Sequence, residues 1–212
     1  MKYVLVLCDG MADYPVKSLN GKTPLEAAKT PNMDALAQTA QIGLVKTVPD
    51  GFKPGSDVAN LGVLGFDART CYTGRSPLEA LSIGIDLKAD DLAMRANLVT
   101  LSDDEPFENK IMLDYSSGEI DADEARELMD CVKDNFNCDK FRFYTGTSYR
   151  NCLVVSRAKP EEDLTPPHDI SGLRIGEYLP KGTRGKDLTS FVVNSYEILK
   201  DHPVNVRRIE RG

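Results

Sequence analysis

The run YVLVLC at 3–8, closed by Asp9 and Gly10, constrains the fold more than any other stretch. An extended segment with no polar face has to be covered on both sides, which is the condition of a buried parallel strand. The Asp-Gly step then ends it in a turn. IGLVKTV at 42–48 reads as a second strand. TPLE at 23–26 and SPLE at 76–79 each offer an N-cap hydroxyl, a proline at the first helical position and a glutamate at the third. TPNMDALAQTA begins a further helix from Thr30. Strand, helix, strand and helix over residues 1–85 predict an α/β layer with a mainly parallel sheet.

From about residue 88 the pattern changes. AMRANLVTL and KIMLDY read as strands around the acidic turn SDDEPFEN. DADEARELMDCVKDNF is an amphipathic helix with Ala125, Leu128, Met129, Val132 and Phe136 on one face. KFRFYT and YRNCLVVS alternate as antiparallel strands around GTS. KDLTSFVVNSYEILK is a helix that stops before Pro203. This α+β region is assigned to 88–205, after a first region at 1–87. The segment 206–212, within the polar, helix-like HPVNVRRIERG, reads as a chain still in progress, and two strands are few for a doubly wound sheet.

A length of 212 residues suits one large domain or two small ones. A formal charge of −7 opposes broad binding to nucleic acid or anionic membranes, but a pocket can still be locally basic. The first apolar run is too short for a signal or spanning segment. Five cysteines without a CxxC pattern suggest reduced thiols in the cytoplasm, with Cys8 and Cys152 packed as small hydrophobes.

Asp9 falls at the carboxyl end of the first strand, where open α/β sheets place ligands. A carboxylate followed by glycine suits a divalent metal, and a turn-forming aspartate suits the position equally. In PGSDVANLGVLGF, Ser56 stands at a helix mouth whose free N–H groups would attract an anion. It is either a helix cap or a nucleophile. With only His168 and His202 in the chain and no GxSxG, metal activation serves such a nucleophile better than a triad. Asp57 could hold a metal, a water or the hydroxyl. Asn60, one turn on, could donate to a phosphoryl group. Arg75 before a helix, and Arg95 and Arg150 in strands, are either solvated or form a bidentate grip on carboxylate or phosphate. His168 and Asp169 sit in a Pro-Pro loop, as a structural contact or a phosphate partner.

Taken together, VLVLCDGMADYP, GKTPLEAAKTPNMDALA, GLVKTVPDGFKPGSDVANLGVLGFD, YTGRSPLEALSIGI, RANLVTL and TPPHDISG resemble the archaeal-type cofactor-independent phosphoglycerate mutases of the alkaline phosphatase-like superfamily. The match runs from residue 3 to the end of the chain. It implies a partial alkaline phosphatase-like core with a mainly parallel sheet, and an inserted α+β lid. It also implies that Ser56 takes the phosphoryl group of 3-phosphoglycerate and returns it to give 2-phosphoglycerate. Asp9 and Ser56 match metal ligands for two divalent cations, manganese or magnesium. Further ligands lie, in longer relatives, beyond the point where this sequence stops. The expectation is therefore an amino-terminal part that does not hold both cations and is inactive alone.

Two other readings remain open. Homoserine kinase-like enzymes and phosphatases would share a phosphoserine on this scaffold. A non-catalytic partner-binding fragment would use an exposed sheet edge and apolar face, which also favour self-association.

Overall fold

A computed structural model describes all residues, Met1–Gly212, and the chain divides into two units, Met1–Tyr72 and Thr73–Gly212. The first unit is helical: α1 (Pro24–Ala27), α2 (Pro31–Ala37), α3 (Ser56–Val63) and α4 (Ala68–Cys71). TPLE closes the reciprocal cap its sequence announces. Thr23 Oγ1 accepts from the Glu26 N–H at 3.1 Å, and Glu26 Oε2 accepts from the Thr23 N–H at 2.8 Å. Gly62 in α3 lies hard against the preceding segment, where an added Cβ would fall 2.7 Å from the Thr47 carbonyl oxygen. Val58 and Ala68 are buried in this unit.

The parallel sheet expected in this unit is not formed. Residues 3–8 and 42–48 have no regular structure, and their apolar side chains face solvent, with Val4 85% and Ile42 76% exposed. A buried parallel strand takes its hydrogen bonds from neighbours on both edges and its cover from elements on both faces. Neither run is given such a neighbour by the residues present, because every ladder in the chain is antiparallel and lies after residue 90. Cys8, read as a packed hydrophobe, is accordingly exposed.

The second unit opens with α5 (Arg75–Ser82) and continues with strands β1 (Leu92–Asn97), β2 (Thr100–Leu101) and β3 (Met112–Asp114). Helix α6 (Ala122–Phe136) precedes β4 (Phe141–Thr147) and β5 (Arg150–Val155). Short strands β6 (Glu162–Asp163) and β7 (Lys181–Gly182) pair, and α7 (Gly185–Leu199) and α8 (Pro203–Arg211) end the chain. The central sheet has the order β1-β5-β4. Period-two alternation gives it two faces. One face buries Met94, Leu153, Val155, Phe141 and Phe143 with Met129 and Val132 of α6 and Leu188 of α7. The other sets Ala93, Cys152 and Val154 against Ala80 of α5.

The face expected on α6 is the one that is buried, through Ala125, Leu128, Met129 and Val132. Lys110 is fully buried but satisfied, with Nζ 2.8 Å from Glu105 Oε1 and 4.5 Å above the Tyr196 ring. SPLE departs from its twin. Gly74, at φ 127°, is the N-cap, so the helix begins at Arg75, two residues before the expected start at Pro77, and Ser76 does not cap it. Glu79 turns instead to arginine side chains. No helix is long and apolar enough to cross a membrane.

Two outcomes test this packing. Val155→Ala, at a fully buried position, should lower the stability of the second unit by roughly 2 kcal/mol. Val4→Ala should change stability by less than about 0.5 kcal/mol. Urea titration followed by circular dichroism checks both. Burial, with the Glu79 charge second, pushes the Cys152 thiol up to about 11. The thiolate is the reactive form. Iodoacetamide near neutral pH should therefore label the exposed Cys8, Cys71 and Cys138 but reach Cys152 only after denaturation, as peptide mass spectrometry would show.

Candidate functional site

Two clusters of chemistry-bearing residues emerge, one in each unit. In the first, Gly55 is the N-cap of α3, extended at φ −163°, and Ser56 is the first helical residue. The capping role open to Ser56 is therefore not the one it plays. As the first helical residue it stands past the cap position, no side-chain hydrogen bond in the chain involves its Oγ, and the residue is exposed. A hydroxyl with no internal partner thus sits among N–H groups that no helical carbonyl can satisfy. Asp57 beside it is held in place, because the Tyr72 hydroxyl donates a short hydrogen bond to its Oδ2. Tyr72 is in turn buttressed edge-on by Phe52, with ring centroids 6.2 Å apart. A Cβ at position 55 would come within 2.5 Å of Asp57 Oδ1, so the glycine leaves room for that carboxylate. Asn60 is half-buried one turn further along α3.

Asp9 lies in an exposed turn with Gly10 at φ 68°. Nowhere in the chain do three His, Cys, Asp or Glu side chains gather as a metal cage would require. Asp9 and the Ser56 hydroxyl do not amount to a divalent-cation site, which takes at least four to six donors in typical coordination. The residues present therefore do not fit the two cations that the resemblance implies.

The second cluster is built on the face of the sheet that α5 covers. Arg95 pairs across the ladder with Cys152, and Asn97 with Arg150, so Arg95 and Arg150 share that face. Both line a cavity of about 180 Å³ with Ser76, Glu79, Thr147 and Asn151. Arg95 donates from Nε to Glu79 Oε2 at 2.9 Å and makes a second, short bond from Nη2 to Oε1. Arg75 donates from its own Nε to Glu79 Oε1 at 2.9 Å. One carboxylate thus serves two of the arginines singled out in the sequence. Burial raises the Glu79 pKa, but the hydrogen bonds and charges of Arg95 and Arg75 outweigh it and hold the carboxyl below its ordinary value.

Arg150 donates to the Tyr149 hydroxyl from Nε at 3.0 Å and from Nη2 at 2.8 Å, and that contact raises its pKa. Tyr149 is buried and meets Tyr115 edge-on at 6.0 Å. Tyr115 meets His168 in the same way, also at 6.0 Å. The chain Arg150–Tyr149–Tyr115–His168 brings the loop histidine to the sheet end that carries Arg150, and His168 Nε2 lies 3.3 Å from Asp169 Oδ1. Sequence reasoning missed Glu79, Tyr72 and Tyr149. Glu79 was assigned to a capping box, and no local signal links the two tyrosines to partners that only the tertiary structure supplies.

Comparison with known proteins gives this arrangement its context. Residues 37–205 match the family model of 2,3-bisphosphoglycerate-independent phosphoglycerate mutase. A probable 2,3-bisphosphoglycerate-independent phosphoglycerate mutase of Geobacter sulfurreducens is 49% identical over 213 aligned residues, covering 100% of this chain and 53% of that protein. The 2,3-bisphosphoglycerate-independent phosphoglycerate mutase of Methanosarcina mazei is 46% identical, with 100% of this chain and 52% of that protein covered. Among solved structures, a Pyrococcus horikoshii protein superposes with a TM-score of 0.68 at 30% identity, covering 96% of this chain and 46% of that one. The chain spans about half the length of the curated relatives it matches. By sequence match over most of its length and by its mixed α/β fold, the chain belongs to the 2,3-bisphosphoglycerate-independent phosphoglycerate mutase family.

Proposed function

We propose that the family-length protein containing this chain interconverts 3-phosphoglycerate and 2-phosphoglycerate, with Ser56 as the phosphoryl carrier. The observation that carries this reading is the state of Ser56: exposed, first in α3, and with a hydroxyl committed to no partner. A phosphoryl group on its Oγ would meet the unpaired N–H groups of the helix start. The transfer balances without any co-reactant. A bond forms from Ser56 Oγ to phosphorus as the bond to the C3 oxygen breaks, and the serine proton ends on that oxygen. The C2 hydroxyl oxygen then bonds to phosphorus as the Ser56 Oγ–phosphorus bond breaks, and the C2 hydroxyl proton ends on Ser56 Oγ. Asp57, fixed by Tyr72, and Asn60, one turn along α3, are assigned to contacts with the transferred group.

Arg95 and Arg150, with Arg75 nearby through Glu79, supply the convergent guanidinium groups that the carboxylate and phosphate of a glycerate ester need. His168 and Asp169 are assigned to the same grip, and residues 88–205 to a substrate-holding lid. Exclusion of water matters for this chemistry, since water attacking a phosphoserine turns isomerisation into hydrolysis. The manganese or magnesium ions would be held by donors beyond those that these residues assemble. The exposed apolar runs at 3–8 and 42–48 support a further assignment: they become parallel strands of an alkaline phosphatase-like core when strands from elsewhere in the protein pair with them. A diffusible phosphorylated acid as substrate suits a cytoplasmic enzyme of glycolysis and gluconeogenesis.

Ser56→Ala in the family-length protein should abolish both labelled phosphoenzyme and isomerisation while leaving the fold intact. Acid-quench trapping with radiolabelled 3-phosphoglycerate checks this, and turnover retained in the variant would overturn the role of Ser56.

A further inference from the structure

We propose that Glu79 is a positioning residue: it holds the Arg95 guanidinium side-on and so presents its remaining donors to an anion in the cavity shared with Arg150. This rests on the reading that Arg95 grips the anionic substrate. The two bonds from Arg95 use Nε and one hydrogen of Nη2, while Nη1 takes no partner within the chain. A guanidinium carries five N–H donors in a fixed planar fork. A carboxylate on its side therefore leaves the end-on fork for a second oxyanion, with the plane already fixed. Arg95 sits mid-strand in β1 and Glu79 in α5, so the contact ties helix to sheet at the cavity wall.

Glu79 also receives Arg75, and it is itself half-buried. Removing its charge would raise the positive potential of the cavity and, on charge alone, strengthen anion binding. Removing its hydrogen bonds would free a long side chain and weaken binding through lost order. The two effects have opposite signs, so the direction of the change discriminates between them. Positioning requires that the second dominate.

The test uses the 212-residue chain with isotope-labelled arginine side chains and 3-phosphoglycerate as the probe. In the wild type, the Arg95 Nε–H signal should exchange slowly with water and shift on titration. In Glu79→Gln, exchange should accelerate and affinity should fall about tenfold, the scale of one charge-assisted hydrogen bond. Glu79→Asp, which keeps the charge but retracts it, should fall between the two and serves if the glutamine variant folds poorly. Unchanged Nε–H exchange, or affinity equal to or above wild type in Glu79→Gln, would overturn the positioning role. Arg95→Ala tests the underlying reading separately. If it binds the probe as wild type does, or if the wild type shows no shift, Arg95 is no anion grip, while the exchange rates still decide whether Glu79 orders it.

Discussion

The register between β1 and β5 decides what the second unit can be. Arg95 faces Cys152 across the ladder, Asn97 faces Arg150, and Ala93 faces Val154. Because side chains alternate, this pairing sends Met94, Leu153 and Val155 into the larger core and leaves the arginines on the face under α5. A slip of one residue would exchange the two sets, burying guanidinium groups among phenylalanines and exposing the apolar residues. Stability and the arrangement of candidate ligand groups thus rest on one set of backbone hydrogen bonds. Ala80, fully buried against Ala93, Cys152 and Val154, seats α5 closely enough for Glu79 on the next-door position to reach Arg95.

The first unit shows the converse. Its helices close because their requirements are local: the Thr23 and Glu26 cap, Asp67 accepting from the Arg69 N–H, and prolines at the first turn of α1 and α2. Its strand-like segments cannot close in this way. A parallel strand needs partners far away in sequence, and an apolar run without them remains exposed however strong its propensity. The caps of this unit are therefore formed, while its two apolar runs stay unpaired. The setting of Ser56 rests on contacts made inside this unit, from the Gly62 approach to Thr47 and from Tyr72 to Asp57, each spanning fifteen residues.

That division explains how much could be read in advance. Periodicity announces strands in AMRANLVTL, KFRFYT and YRNCLVVS, the apolar face of α6 and the helix of α7; the last two strands, the face and the helix form nearly as read, while AMRANLVTL divides into β1 (Leu92–Asn97) and β2 (Thr100–Leu101), which join different sheets. Periodicity also announced strands at 3–8 and 42–48, where it reports what a segment would bury if partners existed. Arg95 and Arg150 stood out as charges in otherwise apolar strands, and the structure brings them to one cavity. Glu79 was hidden by a motif that explained it too well: the capping box accounts for a glutamate three residues after a serine. Two guanidinium groups outcompete a backbone N–H for its carboxylate, because hydrogen bonds between opposite charges are roughly twice as strong as neutral ones.

An acidic protein with a candidate anion site raises the question of which charges such an anion would feel. The formal charge of −7 is spread over the whole chain, and at physiological salt exposed charges beyond about 8–10 Å are largely screened. Among the residues lining the cavity, Arg95 and Arg150, with Arg75 beside them, stand against Glu79, and Glu119 acts on Arg150 from outside the lining, which leaves a local excess of positive charge next to low-dielectric walls made by Ile83 and Met94. Field lines concentrate in such a cleft. Glu79 lowers that excess by one charge, and its sharing between two arginines keeps them from repelling each other at close range. A grip with three unpaired arginines would attract anions more strongly but hold them in no particular orientation. On the proposed reading orientation matters more, since an isomerase has to keep glycerate in place while its phosphoryl group moves between adjacent oxygens.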